Sequence, residues 1–309
     1  MVAVEDQGQP LRGRTILVTR AQEQAEALSS RLQALGAETL CFPVIRLVPP
    51  DDWAPLDRAL QRLAAGRENG RTPYDWLVFT SVNGVRFCVE RLRTLGLEPS
   101  LLSTGGARVA AIGPATAAAL AEHGVSGVLV PEEYVAEQVA AALLAECQRQ
   151  GVAPAGQRVL LARAAEARRV LAEALQQAGM LVEEVPAYRT LPAAGDDPRG
   201  QQVLTLIEAG RLSLASFTSS STVRSFVHWL EQAMGTRAAG ASPGVLLARQ
   251  GVVIACIGPI TAATARALGL QVAIEAQPFT IEGLVAAIVA YYRQQTQASQ
   301  GQAVQDSAR

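Results

Sequence analysis

The sequence predicts an α/β protein of two similar domains, each a parallel sheet flanked by helices. Three observations carry that prediction. Short apolar runs of strand type alternate with amphipathic helical stretches along the chain, the pattern of a sheet covered on both faces. The order of these segments repeats once, which marks an internal duplication. The chain has 309 residues, enough for two domains of roughly 150 residues each.

Residues 1–11 are polar and irregular and read as a loose tail. Thr15 to Thr19 is a strand that ends at Arg20. A helix follows with Ala25, Leu28, Leu32 and Leu35 on one face and Gly36 as its stop. The stretch from Thr39 to Pro50 is extended, and its prolines suit an edge strand or linker. Leu56, Leu60 and Leu63 mark a short helix. The strand Asp75 to Val78 then runs into the turn Phe79-Thr80-Ser81-Val82-Asn83-Gly84. Behind the turn, Val85, Cys88, Val89 and Leu92 recur at helical spacing. The strand Arg108 to Ile112 ends in Gly113-Pro114-Ala115-Thr116, and an alanine-rich helix runs on to His123. Val128 to Val130 reads as a further strand and Tyr134 to Leu144 as a helix. A loop follows from Gly151 to Gly156.

The pattern then returns. Gly156 to Pro192 aligns without a gap to Gly13 to Pro49, placing Arg163 on Arg20, Leu171 on Leu28, Gly179 on Gly36 and Pro186 on Pro43. Phe217-Thr218-Ser219-Ser220 repeats the turn at Phe79. Ile257-Gly258-Pro259-Ile260-Thr261 repeats Ile112 to Thr116, and Glu282 falls on Glu137. Met234 to Pro243, rich in Gly and Ala, reads as a flexible loop. The glutamine-rich end from about Arg293 reads as frayed.

Composition excludes several function classes. A net charge of −1 and a pI near 6.2 argue against a general nucleic-acid binder. No lysine occurs, so all 27 basic residues are arginine. Schiff-base and P-loop lysine chemistry are thereby removed. Cys41, Cys88, Cys147 and Cys256 lie far apart and read as buried apolar residues in a reducing compartment. The only histidines, His123 and His228, sit away from the polar turns, so no metal site is expected. The glycines spell no G-x-G-x-x-G, and no nucleotide cofactor is expected. No signal peptide is read at the start, and no apolar run is long enough to span a membrane.

In parallel sheets ligands bind beyond the carboxyl ends of the strands, and every polar turn above lies at that end. Helix starts there offer unpaired N–H groups to an anion. The candidate binding residues are therefore Ser81, Asn83, Gly113, Thr116, Ser219, Ser220, Gly258 and Thr261, together with Arg20 at the end of the first strand. The competing roles are structural. The serines serve equally as helix caps, the threonines as local helix-start residues, and Arg20 as half of a surface ion pair.

These motifs in this order resemble the uroporphyrinogen-III synthase family over nearly the whole chain, from about Gly13 to Tyr292. The resemblance rests on Phe79-Thr80-Ser81-x-Asn83-Gly84-Val85, Ile112-Gly113-x-x-Thr116, Tyr188-x-Thr190 and Phe217-Thr218-Ser219. To these are added Ile257-Gly258-x-x-Thr261 and Pro278-x-Thr280-x-Glu282-Gly283-Leu284. It implies a discontinuous first domain (12–40 with 192–292), a second domain (49–183) and a two-stranded connector (41–48 and 184–191), with tails at 1–11 and 293–309. A plain tandem split near residue 150 is the competing arrangement. The implied reaction converts the linear tetrapyrrole hydroxymethylbilane to uroporphyrinogen III in a cleft between the domains, with loss of water and inversion of ring D. Tyr188 matches the family's tyrosine and is the expected proton donor; its competing role is a packing aromatic. The resemblance implies no cofactor and no metal, no nucleic-acid or membrane partner, and a cytoplasmic monomer. It also implies a transient contact with the upstream bilane-forming enzyme. A two-lobed ligand-binding or regulatory module without catalysis is the alternative from another class.

Overall fold

The computed structural model describes residues 8–67, 70–193, 195, 197–235 and 242–307. The chain forms two compact units, Met1–Arg46 with Leu191–Arg309, and Leu47–Thr190. Below they are unit 1 and unit 2.

Unit 1 holds a five-stranded sheet built from β1 (Thr15–Val18), β2 (Glu38–Cys41), β8 (Leu214–Phe217), β9 (Val253–Cys256) and β10 (Val272–Glu275), in the order β10-β9-β8-β1-β2. Its helices are α1 (Gln22–Ala34), α8 (Arg199–Glu208), α9 (Ser220–Met234), α10 (Pro243–Arg249), α11 (Pro259–Ala267) and α12 (Ile281–Ser307). The core on the α1 and α12 side packs Ile16 and Val18 against Leu28, Leu32, Leu284 and Ile288.

In unit 2 the strands are β4 (Trp76–Phe79), β5 (Arg108–Ala111), β6 (Arg158–Ala164) and β7 (Leu181–Pro192), with β3 (Ile45–Val48) at the edge; the order is β3-β7-β6-β4-β5. Its helices are α2 (Ala54–Ala65), α3 (Val82–Thr94), α4 (Leu101–Thr104), α5 (Pro114–Ala121), α6 (Ala136–Arg149) and α7 (Val170–Gln177). The strand side chains alternate between two cores. Leu77, Phe79 and Leu160 face the cluster with Leu56, Leu60 and Val85. Trp76, Val78, Val159 and Leu161 face Leu143, Leu171 and Leu175. Burial on both faces explains why these strands read as unbroken apolar runs.

All the strand pairs whose register is determined are parallel, and that register is duplicated with the sequence. Ile16 opposes Leu214 in unit 1, and the aligned Val159 opposes Trp76 in unit 2. Leu214 opposes Val253, as Trp76 opposes Arg108. Thr15 opposes Glu38, as Arg158 opposes Leu181. The first strand thus pairs with β8 from the far half of the chain, while β6 pairs with β4.

Five segments differ from the sequence reading. The strand expected over Val128 to Val130 is a single bridge from Leu129 to Ala110, because the glycine-bounded segment is too short to propagate pairing. The end expected to fray continues α12 to Ser307; glutamine and alanine are good helix formers. Leu11, placed in the loose tail, is fully buried in the core of unit 1. The helices α4 and α10 carry too few residues for a periodic signal. Residues 1–7 of that tail, and 236–241 of the expected flexible loop, lie outside the described residues.

Leu28 and Leu171 occupy the same place in the two repeats and are both fully buried. Leu28→Ala and Leu171→Ala should each cost about 2–5 kcal/mol. Because they sit in different cores, the double variant should lose the sum to within about 0.5 kcal/mol. Denaturant unfolding of the three variants checks both values.

Candidate active site

The first polar turn is built by a cap. Ser81 is extended, and its hydroxyl accepts the N–H of Gly84 at 3.0 Å, which satisfies one of the unpaired donors at the start of α3. Gly84 is required by closeness: a Cβ there would lie 2.9 Å from the carbonyl oxygen of Ala162 on β6. The missing side chain lets the first turn of α3 seat against the end of the neighbouring strand.

The Ser81 hydroxyl also lies 3.1 Å from the hydroxyl of Tyr188, and either can donate. The side chain of Asn83 bonds the same phenol. Tyr188 projects from β7, where the register with β6 shifts between Arg163 and Ala164. Its ring stacks on Phe87 with centroids 5.4 Å apart and planes 12° apart. The Arg86 guanidinium lies 4.7 Å over the Phe87 ring. Burial raises the phenol's pKa above its ordinary value; the bonds from Ser81 and Asn83 oppose that shift, and nearby Glu166 adds to it. Tyr188 is therefore a protonated donor at neutral pH.

The other turn of unit 2 is at Gly113, which precedes α5. Its Cα is covered by the ring of Tyr134, whose nearest atom would lie 3.1 Å from an added Cβ. In unit 1 the aligned Gly258 is covered in the same way by Phe279, also at 3.1 Å. These two glycines admit an aromatic ring from their own unit. Thr116 and Thr261 stand in the first turns of α5 and α11 and are buried, without a side-chain hydrogen bond to the described residues.

In unit 1, Ser219 and Thr222 form a reciprocal capping box at the start of α9. The Ser220 hydroxyl bonds that of Thr264 on α11 at 2.8 Å, so it helps hold two helices together. The residue aligned with Tyr188 is Ile45, and the phenol has no counterpart there.

The two aligned arginines have also diverged. Arg163 is buried, ion-paired with Glu184 and bonded to the carbonyl of Arg168 at 2.8 Å. At the position of Glu184 the other repeat has Cys41. Arg20 consequently makes no ion pair among the described residues. Its Nη2 reaches Gln24 at 3.3 Å, while its buried Nε has no partner. Burial lowers its pKa, yet a guanidinium stays charged. Unit 1 thus holds a half-buried cation with no carboxylate partner among the described residues.

Among the described residues no group of His, Cys, Asp and Glu could hold a metal ion, and no helix is long and apolar enough to cross a membrane. Sequence reasoning missed Phe87, Glu184 and Glu166, because each acts through a partner distant along the chain. The repeat itself carried a signal for Glu184, since only one copy of the aligned pair has a carboxylate.

Two parallel-sheet units carrying hydroxyl-rich turns at the carboxyl ends of their strands define a class of two-domain α/β protein. Comparison with known proteins narrows the class. Residues 26–286 match the family model described as uroporphyrinogen-III synthase HemD. A uroporphyrinogen-III synthase of Synechococcus elongatus is 35% identical over 290 residues, covering 93% of this chain and 99% of that protein. Another, from Chlorobaculum parvum, is 28% identical over 259 residues, covering 84% and 91%. The fold is also that of solved structures. A variant of the Thermus thermophilus uroporphyrinogen III synthase gives a TM-score of 0.57 at 21% identity, covering 91% of this chain and 99% of that one. The Helicobacter pylori enzyme gives 0.51 at 18% identity, covering 91% and 100%. This chain belongs to the uroporphyrinogen-III synthase family, enzymes that cyclise hydroxymethylbilane.

The raised Tyr188 pKa has a consequence for stability. The folded protein holds this proton more tightly than the unfolded chain, whose phenols titrate near ~10. The contribution is complete below that pH and is lost as pH rises through the raised folded value. Stability measured by denaturant unfolding should fall above pH ~10, and Tyr188→Phe should make that fall shallower. An unchanged slope would mean that the phenol is not buried in solution.

Proposed function

We propose that this protein cyclises hydroxymethylbilane to uroporphyrinogen III, with Tyr188 beside the departing hydroxyl and Arg20 receiving a substrate carboxylate. The observation that carries the reading is the Tyr188 phenol, held by Ser81 and Asn83 at the end of a parallel sheet. Membership of a synthase family sets aside a binding module without catalysis.

The substrate supplies its own electrons. A pyrrole nitrogen pushes out the hydroxymethyl oxygen, the C–O bond breaks, and an azafulvene and water result. The substituted carbon of ring D then attacks the azafulvene carbon, giving a spirocyclic intermediate whose reopening and closure invert the ring. The protein's task is to hold the chain so that this carbon is the one that attacks. In the proposed arrangement Ser81 and Asn83 both donate to the phenol oxygen. The phenol's own proton is then left for the leaving oxygen. A phenol made less acidic by burial transfers a proton poorly, so its contribution is chiefly a hydrogen bond. The N–H groups at the starts of α3, α5, α9 and α11, with Ser219, Ser220, Gly113, Thr116, Gly258 and Thr261 beside them, are the proposed receivers of the other carboxylates. This reading needs no cofactor. It includes a monomer in the cytoplasm and a transient contact with the enzyme that supplies the bilane.

Tyr188→Phe keeps the ring stacked on Phe87 and removes only the hydroxyl. Turnover should drop roughly 10- to 100-fold, about 1.4–2.7 kcal/mol of barrier, and the remaining product should still be mainly isomer III. Wild-type turnover would reduce Tyr188 to a packing aromatic. Release of isomer I would instead make it a residue that positions the substrate.

Arg20→Gln should raise KM roughly tenfold and leave kcat nearly unchanged, the signature of a lost charge-assisted contact formed on binding. Cys41→Glu should raise KM in the same direction, because it gives Arg20 the carboxylate that its counterpart Arg163 already has. Steady-state kinetics on both variants checks this, and an unaltered KM in both would remove Arg20 from the site.

A further inference from the structure

Unit 2 has a concave surface at the end of its sheet opposite Tyr188. A cavity of about 820 Å³ opens where β6 and β7 begin, lined by Arg62, Arg67, Arg71, Tyr74, Arg158 and Glu183 among others. These strands are parallel. Arg158 is therefore separated from Ala164, the strand end beside Tyr188, by six residue steps, or roughly 20 Å at ~3.3 Å per residue. The cavity is distinct from the candidate active site.

Its charge is unbalanced. The lone carboxylate among the described residues of the wall, Glu183, is taken by Arg62, which reaches its Oε2 at 2.7 Å, and by the Tyr74 hydroxyl, also at 2.7 Å. Arg158 bonds the carbonyl of Thr72 through its guanidinium and makes no ion pair among the described residues; the nearby Asp75 carboxylate accepts its backbone N–H. Arg67 and Arg71 make no ion pair among the described residues. Three arginines with no ion pair among the described residues thus line one cavity in a protein whose net charge is −1. Apart from Gln176 and the Tyr74 hydroxyl, the rest of the described wall is apolar. Pro73 and Met180 contribute, and Leu181, 60% exposed, is the most exposed large apolar side chain among those described.

We propose that this cavity is a second binding site, for a small organic molecule with an apolar body and two or more anionic groups. The arginines pair with the anionic groups in the bidentate fashion that guanidinium favours. Met180, Leu181 and Pro73 cover the body. A purely inorganic anion would use only half of the wall.

Benzene-1,2,4,5-tetracarboxylate is a suitable probe, with inorganic pyrophosphate as an anion lacking a body. Calorimetric titration of the full chain should detect the tetracarboxylate and find it bound more tightly than pyrophosphate. Arg71→Ala with Arg158→Gln should weaken its binding at least tenfold, and Leu181→Ser should weaken it too. The same variants should keep kcat/KM for bilane cyclisation within about twofold, because the cavity lies at the far end of the strands. Three outcomes would overturn the proposal. One is the absence of binding by the wild type. The second is binding that survives the arginine variants but disappears in Arg20→Gln, which would place the probe at the active site. The third is binding lost together with folding, and Arg71→Ala alone, at an exposed position, guards against that: it should keep the wild-type melting temperature while weakening the probe.

Discussion

Parallel pairing in one shared register is the constraint on which the rest of this structure depends. Once Ile16 lies beside Leu214, and its repeat partner Val159 beside Trp76, the ends of the strands are fixed in both units. Each strand then delivers its following turn to the same edge of its sheet. Ser81, Gly113 and Tyr188 meet at one edge because their strands run the same way, and Arg20, Ser219 and Gly258 do so in unit 1 for the same reason. The energy for this comes from burial on both sheet faces, as the alternation of Trp76 and Val78 with Leu77 and Phe79 between two cores makes clear.

A single hydroxyl links this scaffold to chemistry. Ser81 closes the start of α3 and touches the phenol that faces the substrate in the proposed mechanism. In the proposed mechanism folding and function therefore use the same atom, and the hydroxyl that caps α3 also bonds the phenol. Duplication supplied a second copy of each part, and divergence then separated their uses. Unit 2 retained a phenol where unit 1 has Ile45, and it paired its arginine with Glu184. Unit 1 has Cys41 at that place and leaves Arg20 without a carboxylate. In the proposed mechanism one copy assists departure of the leaving group and the other receives a carboxylate.

The strands and most helices were legible because their signals are local. Trp76 to Phe79 is an unbroken apolar run, and Val85 to Leu92 has helical spacing. The cap at Ser81 was readable from the residue types alone. The bond between Ser81 and Tyr188 was not, since it joins residues 107 positions apart and depends on how β7 lies beside β6. Phe87 gave no sign that it would stack on a distant tyrosine. Gly113 and Gly258 read as open backbone for a ligand, yet each accommodates an aromatic ring, Tyr134 or Phe279; no local pattern reports such packing. The bridge at Leu129 failed to become a strand because pairing needs a partner of matching length, a property of the sheet and not of the segment.

Geometry, in this account, does most of the catalytic work. In the proposed mechanism the phenol and the helix starts hold a substrate that supplies its own electrons, and the position of ring D decides the product. The most direct test gives freshly prepared hydroxymethylbilane to the purified, metal-free protein and separates the uroporphyrinogen isomers formed. The account predicts isomer III in large excess, at a rate far above that of the bilane alone. Isomer I at the uncatalysed rate would contradict it.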